Sequence, residues 1–256
     1  MKRYVALGSS MAAGPGILPR AQGAPRWSGR SARNYPHLVA ARMDLDLVDV
    51  TFSGATTAHI LAEEQHSAPP QISALDGSEA LVTVTIGGND VGYVPLLMAA
   101  ALPWPARRLP LLGTRIAELL DRDARDRALA EAFDSLCAVG KVVRERAPQA
   151  RVFFVDYLTM LPPAAVSAPP LSQADADLGR HVAAALEQLT ADAASATGCE
   201  VVSAAAASRQ HHAWSAEPWT TMPAKYIVPL PRRPAPLHPN STGMRAVAEV
   251  VAAQLL

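Results

Sequence analysis

The amino-acid sequence predicts an α/β protein: a three-layer α/β/α sandwich on a mostly parallel sheet of about five strands. Short, nearly continuous apolar runs alternate with longer segments of helical periodicity, as in repeated βαβ units. The runs are rich in β-branched residues, which is typical of strands covered on both faces by helices. The chain has 256 residues, of which 50% are hydrophobic. It can therefore bury a full core, and residues 1–256 are expected to form a single domain.

Five apolar runs carry the strand signal. In chain order the predicted strands are Tyr4–Leu7, Leu45–Val50, Ala80–Ile86, Arg151–Val155 and the weaker Glu200–Ser203. Because helical segments separate these runs, the connections are expected to be crossovers, which join parallel strands.

Helical periodicity occupies the segments between the strands. The predicted helices are Tyr35–Met43, Asp126–Arg146, Ser172–Thr197 and a last helix that starts near Pro239 and reaches the C-terminus. Ser172 is a favourable N-cap for the third helix, and Gly198 is a stop signal at its end. With helices on both faces of a parallel sheet, the predicted architecture is flavodoxin-like.

Two stretches interrupt this alternation and are too long for ordinary connections. Residues 95–112 are proline-rich and apolar, and residues 204–237 carry many prolines and two of the four tryptophans. Long irregular segments of this kind are often lids or binding loops. Irregular packing over the edge of the sheet is the alternative, with equal weight.

Charge and hydrophobicity exclude several kinds of partner. The 23 basic and 23 acidic residues balance, and there is no basic run, so we expect no binding to nucleic acid. No stretch approaches the roughly 20 apolar residues of a membrane span, so stable membrane insertion is not expected. Lys2 and Arg3 precede an apolar run that is too short for a signal peptide, and glycines follow it from Gly8 onward. We therefore expect a cytoplasmic protein, with export by a route without a signal left open.

The cysteines and histidines do not form a metal-binding pattern. Cys137 and Cys199 are far apart, and neither has a neighbouring thiol. Two free thiols in a reducing compartment are favoured over one disulfide, because small secreted domains usually carry more bridges. His211 and His212 have Glu217 as their one close acidic neighbour, which favours a solvated loop over a metal site. No metal or organic cofactor is expected.

Polar segments follow three of the predicted strands, and a fourth precedes the last helix. Ligands of an open parallel sheet bind outside the carboxyl ends of its strands, so these segments are the candidate site. They are Gly8-Ser9-Ser10 after the first strand, Ser53-Gly54-Ala55 after the second, Gly87-Gly88-Asn89-Asp90 after the third, and Leu237-His238-Pro239 before the last helix.

These residue types suit acyl transfer through a serine. A serine hydroxyl needs a base to take its proton, and His238, ahead of a helix that Pro239 can start, is the candidate base for Ser10. An oxyanion needs hydrogen-bond donors in place before it forms. The backbone N–H groups of Ser10 and Gly54 and the side-chain amide of Asn89 are the candidates. Each signal is weak alone, because such residues usually serve as caps, turns or structural histidines. The prediction rests on all four segments occurring together and in this order along the chain.

Together the four segments resemble the SGNH/GDSL hydrolases. That family has a nucleophilic serine in a Gly-Asp-Ser block, a glycine in a second block, a Gly-x-Asn-Asp block and a C-terminal Asp-x-x-His-Pro block. The resemblance places these roles on Ser10, Gly54, Asn89 and His238, and it spans nearly the whole chain. The segments Tyr4-Val-Ala-Leu-Gly-Ser-Ser and Pro236-Leu-His-Pro-Asn-Ser are similar to an actinobacterial branch. The resemblance implies the SGNH hydrolase fold and an esterase or lipase activity.

Two residues depart from the family pattern. Ser9 stands where the first block has an aspartate that supports the turn, and Ala235 stands where the last block has the aspartate that orients the histidine. The imidazole Nδ1–H still needs an acceptor. We expect the backbone carbonyl of Ala235, or of a neighbour, to take that place, stiffened by the flanking prolines. The prediction is therefore a Ser10–His238 dyad without a carboxylate.

The predicted activity is hydrolysis of short- to medium-chain carboxylic esters through an acyl-enzyme on Ser10. Asn34, Trp214 and Trp219 are the candidate substrate contacts. Acyl transfer to a sugar or alcohol and thioester hydrolysis use the same residues and stay open. Because Ser9 and Ala235 are both off pattern, a degenerate protein that binds acylated carbohydrate without turning it over is a further alternative. The expected partner is a small acyl ester, and the sequence leaves the oligomeric state open.

Overall fold

The chain folds around five parallel strands that meet the expectation closely. A computed structural model describes residues 1–108, 112–223 and 234–256. The strands are β1 (Lys2–Gly8), β2 (Leu45–Asp49), β3 (Glu79–Thr85), β4 (Arg151–Val155) and β5 (Glu200–Val202). They lie in the order β2-β1-β3-β4-β5, and every adjacent pair is parallel. This is the flavodoxin-like strand order, so the predicted α/β/α architecture is confirmed.

Helices cover both faces of the sheet. They are α1 (Ser10–Ala13), α2 (Tyr35–Met43), α3 (Thr57–Leu61), α4 (Tyr93–Ala100), α5 (Leu112–Leu119), α6 (Arg122–Arg146), α7 (Gln173–Ala196), α8 (Ala204–Ala207) and α9 (Ser241–Leu255). Val5 and Leu7 of β1 pack with α3, α6 and α7 on one face. Tyr4 and Ala6 pack with α2 and α9 on the other. The period-two alternation along β1 therefore divides the core into two layers.

Side-chain caps move two helix starts away from their predicted positions. Helix α6 begins at Arg122 because the Asp121 carboxylate accepts a 2.7 Å hydrogen bond from the N–H of Ala124. Helix α9 begins at Ser241, two residues after Pro239, because the Asn240 side chain accepts bonds from the N–H groups of Thr242 and Gly243. Asp and Asn are strong N-cap residues, and in both places the cap sets the first turn.

The two interrupting stretches are largely packed where the structure describes them. In the first, α4 buries Leu96 and Leu97 completely, while residues 109–111 lie outside the described part. In the second, residues 204–223 include α8 and lie against the loop that carries His238. Residues 224–233 lie outside the described residues. A lid or binding loop at residues 95–112 and 204–237 stays a prediction.

The predicted strand at the N-terminus is present. Lys2–Gly8 is β1, which pairs with both β2 and β3 and so belongs to the middle of the sheet. Cys137 and Cys199 are free thiols. In the described part of the chain, no helix is long and apolar enough to cross a membrane. The same residues contain no group of three or more His, Cys, Asp or Glu side chains placed to hold a metal ion.

Asp156, the first residue after β4, is a carboxyl buried at the sheet end, only 5% exposed. Its Oδ1 accepts a 2.7 Å hydrogen bond from the N–H of Ala205 in α8. Burial, with a smaller effect of the Glu187 carboxylate, raises the pKa of Asp156 from 3.8 to about 7. The unfolded chain releases this proton at lower pH than the folded protein does. Ionisation of Asp156 therefore lowers the free energy of unfolding as the pH rises between those two values.

Replacing Asp156 with asparagine is expected to raise the melting temperature, and to do so more at pH 8 than at pH 5. The amide keeps an acceptor for Ala205 and removes an ionisation that costs the folded state on the order of 4 kcal/mol at pH 8. Thermal melts at the two pH values measure this. Asp126→Asn is the control, because Asp126 is exposed and its pKa is lowered by His181. An equal effect of Asp156→Asn at both pH values would contradict the assignment.

Candidate active site

Ser10 lies at the turn that leaves β1. Gly8 has a φ of 148°, and a Cβ there would lie 2.6 Å from the carbonyl oxygen of Thr85, so no other residue fits without displacing β3. The N–H of Ser9 donates to that same oxygen at 2.9 Å. The chain then enters α1 with Ser10 as its first residue and 7% exposed. The tight turn thus holds the Ser10 hydroxyl at the carboxyl end of the sheet.

His238 contacts Ser10 directly, although 228 residues separate them. The distance from His238 Nε2 to Ser10 Oγ is 2.8 Å, within hydrogen-bond reach. The imidazole is partly buried, and burial lowers the pKa of His238 below its ordinary 6.5. The neutral ring is therefore the favoured form at neutral pH, and a neutral ring can accept a proton.

A backbone carbonyl orients the His238 ring. His238 Nδ1 lies 2.7 Å from the carbonyl oxygen of Pro236. A carbonyl can only accept, so Nδ1 carries the hydrogen, and Nε2 presents its lone pair to Ser10. The prediction named the carbonyl of Ala235 or of a neighbour, and the acceptor is the neighbour Pro236 instead of Ala235 itself. The Ala235 carbonyl is occupied by the Thr221 hydroxyl at 2.6 Å, while the chain path through Leu237, at a φ of 57°, turns the Pro236 carbonyl toward the ring.

The segment 218–221 holds the histidine loop in place. The N–H of Thr221 donates to the His238 carbonyl at 2.9 Å. The Asn240 side chain donates to the Pro218 carbonyl at 2.6 Å, and the Asn240 N–H donates to the Trp219 carbonyl at 2.9 Å. These bonds tie the loop from both sides, so the position of the imidazole does not depend on a carboxylate partner.

The two predicted tryptophan contacts take part in packing. The Trp219 ring stacks on His211 with ring centroids 4.0 Å apart, and its carbonyl supports the histidine loop. The Trp214 indole N–H donates to the Pro169 carbonyl at 3.0 Å. Both rings are partly buried against apolar clusters. Neither contact brings these residues to Ser10 or His238.

The prediction that Asn34 contacts substrate is wrong. Asn34 is fully buried. Its Oδ1 accepts from the N–H of His37 at 3.1 Å and caps α2, and its Nδ2 donates to the Asp49 carboxylate at 2.8 Å. The side chain is saturated by the protein. Because Nδ2 also lies 3.4 Å from the Ala13 carbonyl, the side chain joins α1, α2 and the end of β2.

Gly54 and Asn89 lie on two loops that are bonded to each other. The Asn89 Nδ2 donates to the Ala55 carbonyl at 2.7 Å, which leaves its second amide hydrogen free. The Asp90 carboxylate accepts from the N–H and hydroxyl of Thr57 at 3.0 and 2.6 Å. Gly54 has a φ of 81°, a backbone shape that favours glycine. In the described residues, the N–H groups of Gly54 and Ser10 have no protein acceptor.

Tyr157, two residues after β4, is a site residue that the sequence argument missed. Its hydroxyl lies 3.1 Å from Ser9 Oγ and accepts from the N–H of Gly88 at 3.0 Å. The strand-end rule that selected the residues after the first three strands also points to Tyr157, but no short motif marks it. Ser9 is almost fully buried, and its hydroxyl has Tyr157 as its hydrogen-bond partner at the turn.

Comparison with known proteins places the chain among ester hydrolases. It matches the model of the GDSL-like lipase/acylhydrolase family over residues 6–246. It is 34% identical to Lipase 2 of Streptomyces coelicolor, over 96% of this chain and 83% of that protein. Its fold is similar to that of phospholipase A1 from Streptomyces albidoflavus NA297, with a TM-score of 0.80, 23% identity and 98% of each chain covered. The fold is also similar to that of the extracellular lipase of Streptomyces rimosus, with a TM-score of 0.74, 24% identity and 99% of each chain covered.

These matches define a carboxylic ester hydrolase with an α/β/α fold. The chain belongs to the GDSL-like lipase/acylhydrolase family, and the resemblance drawn from its four sequence segments is confirmed.

Proposed function

We propose that the chain hydrolyses short- to medium-chain carboxylic esters through an acyl-enzyme on Ser10, with His238 as the base. One observation carries this proposal. The Ser10 hydroxyl lies 2.8 Å from an imidazole nitrogen whose opposite nitrogen lies 2.7 Å from a carbonyl that can only accept. The ring is thereby held in the tautomer and direction that a general base needs.

The chemistry proceeds in two halves. In the first, His238 Nε2 takes the Ser10 proton while Oγ bonds to the ester carbonyl carbon, and the carbonyl oxygen becomes an oxyanion. The N–H groups of Ser10 and Gly54 and the free amide hydrogen of Asn89 stabilise that charge. The carbon–oxygen bond to the alcohol then breaks, and His238 gives its proton to the leaving oxygen. In the second half, His238 Nε2 takes a proton from water as the water oxygen bonds to the acyl carbon. The bond from that carbon to Ser10 Oγ then breaks, His238 returns the proton to Oγ, and the acid leaves.

An apolar cavity supports the short to medium acyl length. It has a volume of about 300 Å³, near the low end for small-molecule sites. Leu158, Met160 and Leu161 line it, with Tyr157 on one wall. Met11, the residue after Ser10, belongs to the same buried apolar cluster as Met160 and Leu161. Ser10 and His238 do not line the cavity, so the proposal is that the acyl chain runs from the nucleophile turn along this cluster into the cavity.

The ester panel that tests this uses p-nitrophenyl acetate, butyrate and octanoate. We expect turnover of all three by the wild type. Ala183 of α7 lines the cavity, so Ala183→Leu should lower kcat/KM for octanoate several-fold relative to acetate. Ala196→Leu makes the same change on the same helix away from the cavity, and it should leave the ratio unchanged. Absence of turnover with every ester would contradict the hydrolase proposal. An unchanged ratio in Ala183→Leu would contradict the cavity as the acyl site.

The acid side of the pH–rate profile is expected to have its midpoint below 6.5. His238 must be neutral to accept the Ser10 proton, and burial lowers its pKa, so the active form persists to lower pH than with an ordinary histidine. The measurement is kcat/KM for p-nitrophenyl butyrate between pH 4.5 and 8, values chosen to span about two pH units around the ordinary histidine pKa. Melting curves at each pH show whether the protein is folded. A midpoint above 7 would indicate a stabilising carboxylate instead.

We also propose that the protein is located in the cytoplasm. Its support is the pair of free thiols, Cys137 and Cys199, since thiols stay reduced in the cytosol. Fractionation of the producing cells, with the protein detected by antibody, tests the location. Recovery of the protein from the medium would contradict it.

A further inference from the structure

We propose that Tyr157 is a positioning residue that fixes the distance between the nucleophile turn and the loop that carries Asn89. The inference rests on the proposed roles of Ser10 and Asn89. It adds a residue from the loop after β4 to a site whose other members come from the loops after β1, β2 and β3 and from the C-terminal loop. No short sequence motif of the chain contains this residue.

The phenol bridges two loops, and among the described residues no other side chain is hydrogen-bonded to both. Its hydroxyl lies 3.1 Å from Ser9 Oγ, directly before the nucleophile, and 3.0 Å from the backbone nitrogen of Gly88, directly before Asn89. Each contact is one residue from a residue that acts on the substrate. A shift of the phenol oxygen therefore changes the relative position of nucleophile and oxyanion donor.

The direction of the hydrogen bonds follows from the chemistry of the groups. The Gly88 N–H can only donate, so the Tyr157 oxygen accepts from it. The phenol hydrogen is then free to donate to Ser9 Oγ. Burial raises the pKa of Tyr157 to about 12, so this hydrogen stays in place over the working pH range. The result is a directed chain from the Gly88 N–H through the phenol to Ser9.

The packing of the ring adds a second constraint. A Cβ on Gly88 would lie 2.2 Å from the Tyr157 ring, so the ring lies against the bare backbone of that loop. Ser9 is 1% exposed and cannot exchange this bond for one to water. The contact is therefore both closely packed and sheltered, as positioning of the loops requires.

Active enzyme is counted by titration with a fluorophosphonate, and kcat is expressed per titrated site. Tyr157→Phe should lower kcat per site about tenfold with KM within about twofold, because oxyanion stabilisation acts in the transition state and not on the bound ester. Tyr4→Phe is the matched control: its hydroxyl makes a 2.8 Å bond to Thr83 within the sheet. The control should lose thermal stability and keep its kcat per site.

Ser9→Ala is the second variant. It removes one of the two bonds, so it should lower kcat per site less than Tyr157→Phe does. The double variant should lose no more than Tyr157→Phe alone, since both changes act through one bridge. Unchanged kcat per site in both single variants, or a rise of KM at constant kcat, would overturn the proposal. If the fluorophosphonate labels no serine in the wild type, the proposed function of Ser10 fails instead, and the two failures are distinguishable.

Discussion

Ser10→Ala is expected to lower kcat for p-nitrophenyl butyrate by on the order of 10⁴-fold or more, with the fold and melting temperature preserved. The Ser10 hydroxyl oxygen lies 2.8 Å from His238 Nε2, and loss of the hydroxyl removes the proposed covalent route altogether. Residual turnover would come from the oxyanion donors alone. Steady-state kinetics on purified protein, with the spontaneous hydrolysis rate subtracted, give the ratio. Activity within tenfold of the wild type would contradict the nucleophile assignment.

The matched controls separate a dyad from a triad. The kcat of His238→Ala should be about as low as that of Ser10→Ala. The kcat of the double variant should be no lower, because the two residues act as a unit. Glu217 is an exposed carboxylate of the segment before the histidine loop. Glu217→Gln should keep nearly full activity, since a main-chain carbonyl already occupies Nδ1. Loss of most activity in Glu217→Gln would show that a carboxylate completes the site.

Asn89→Ala is expected to lower kcat by on the order of 10² to 10³ with a small change in KM. The Asn89 side chain has one amide hydrogen on the Ala55 carbonyl and a second that is free for the oxyanion. Loss of one such donor costs about 3 kcal/mol of transition-state stabilisation. Asn89→Asp keeps the shape and removes both donors, so it should be at least as impaired. Comparable kcat values for the wild type and both variants would remove Asn89 from the oxyanion site.

Thr57→Val controls for the loop–loop contact. The Thr57 hydroxyl bonds to Asp90 at 2.6 Å and joins the same two loops as Asn89 does, but it offers nothing to the substrate. Its loss should lower the melting temperature and change kcat by less than about threefold, because the cost is one hydrogen bond of the folded state. If Thr57→Val lowered kcat as much as Asn89→Ala does, the loss in Asn89→Ala would be due to the changed loop geometry and not to the missing amide.

Periodicity and turn chemistry predicted the architecture because those signals are local. The strand Tyr4–Leu7 lies inside β1, and the positions of Ser10, Gly54 and Asn89 follow from the rule that parallel strands end at one edge. The pairing of Ser10 with His238 spans 228 residues. It came from the order of family segments and could not come from spacing.

Contacts that depend on exact backbone path were beyond reach of the sequence. Which carbonyl faces His238 depends on the left-handed conformation of Leu237, a shape that its residue type does not favour. Asn34 was predicted to contact substrate, yet helix capping and the bond to Asp49 use its side chain. Tyr157 was missed because it is far from Ser9 and Gly88 in the sequence. It reaches them only when β4 pairs with β3 in the sheet.

The main-chain acceptor for His238 makes the orientation of its ring independent of side-chain identity. The Pro236 carbonyl oxygen would be kept by any replacement residue that preserves the backbone path. An alanine scan can therefore test the proposed nucleophile and base but cannot delete the carbonyl that orients the imidazole. During sequence drift, the position that another member of the family must keep as aspartate is free to vary here. The residues whose identity matters for the position of His238 are instead those that shape its loop, including Thr221 and Asn240.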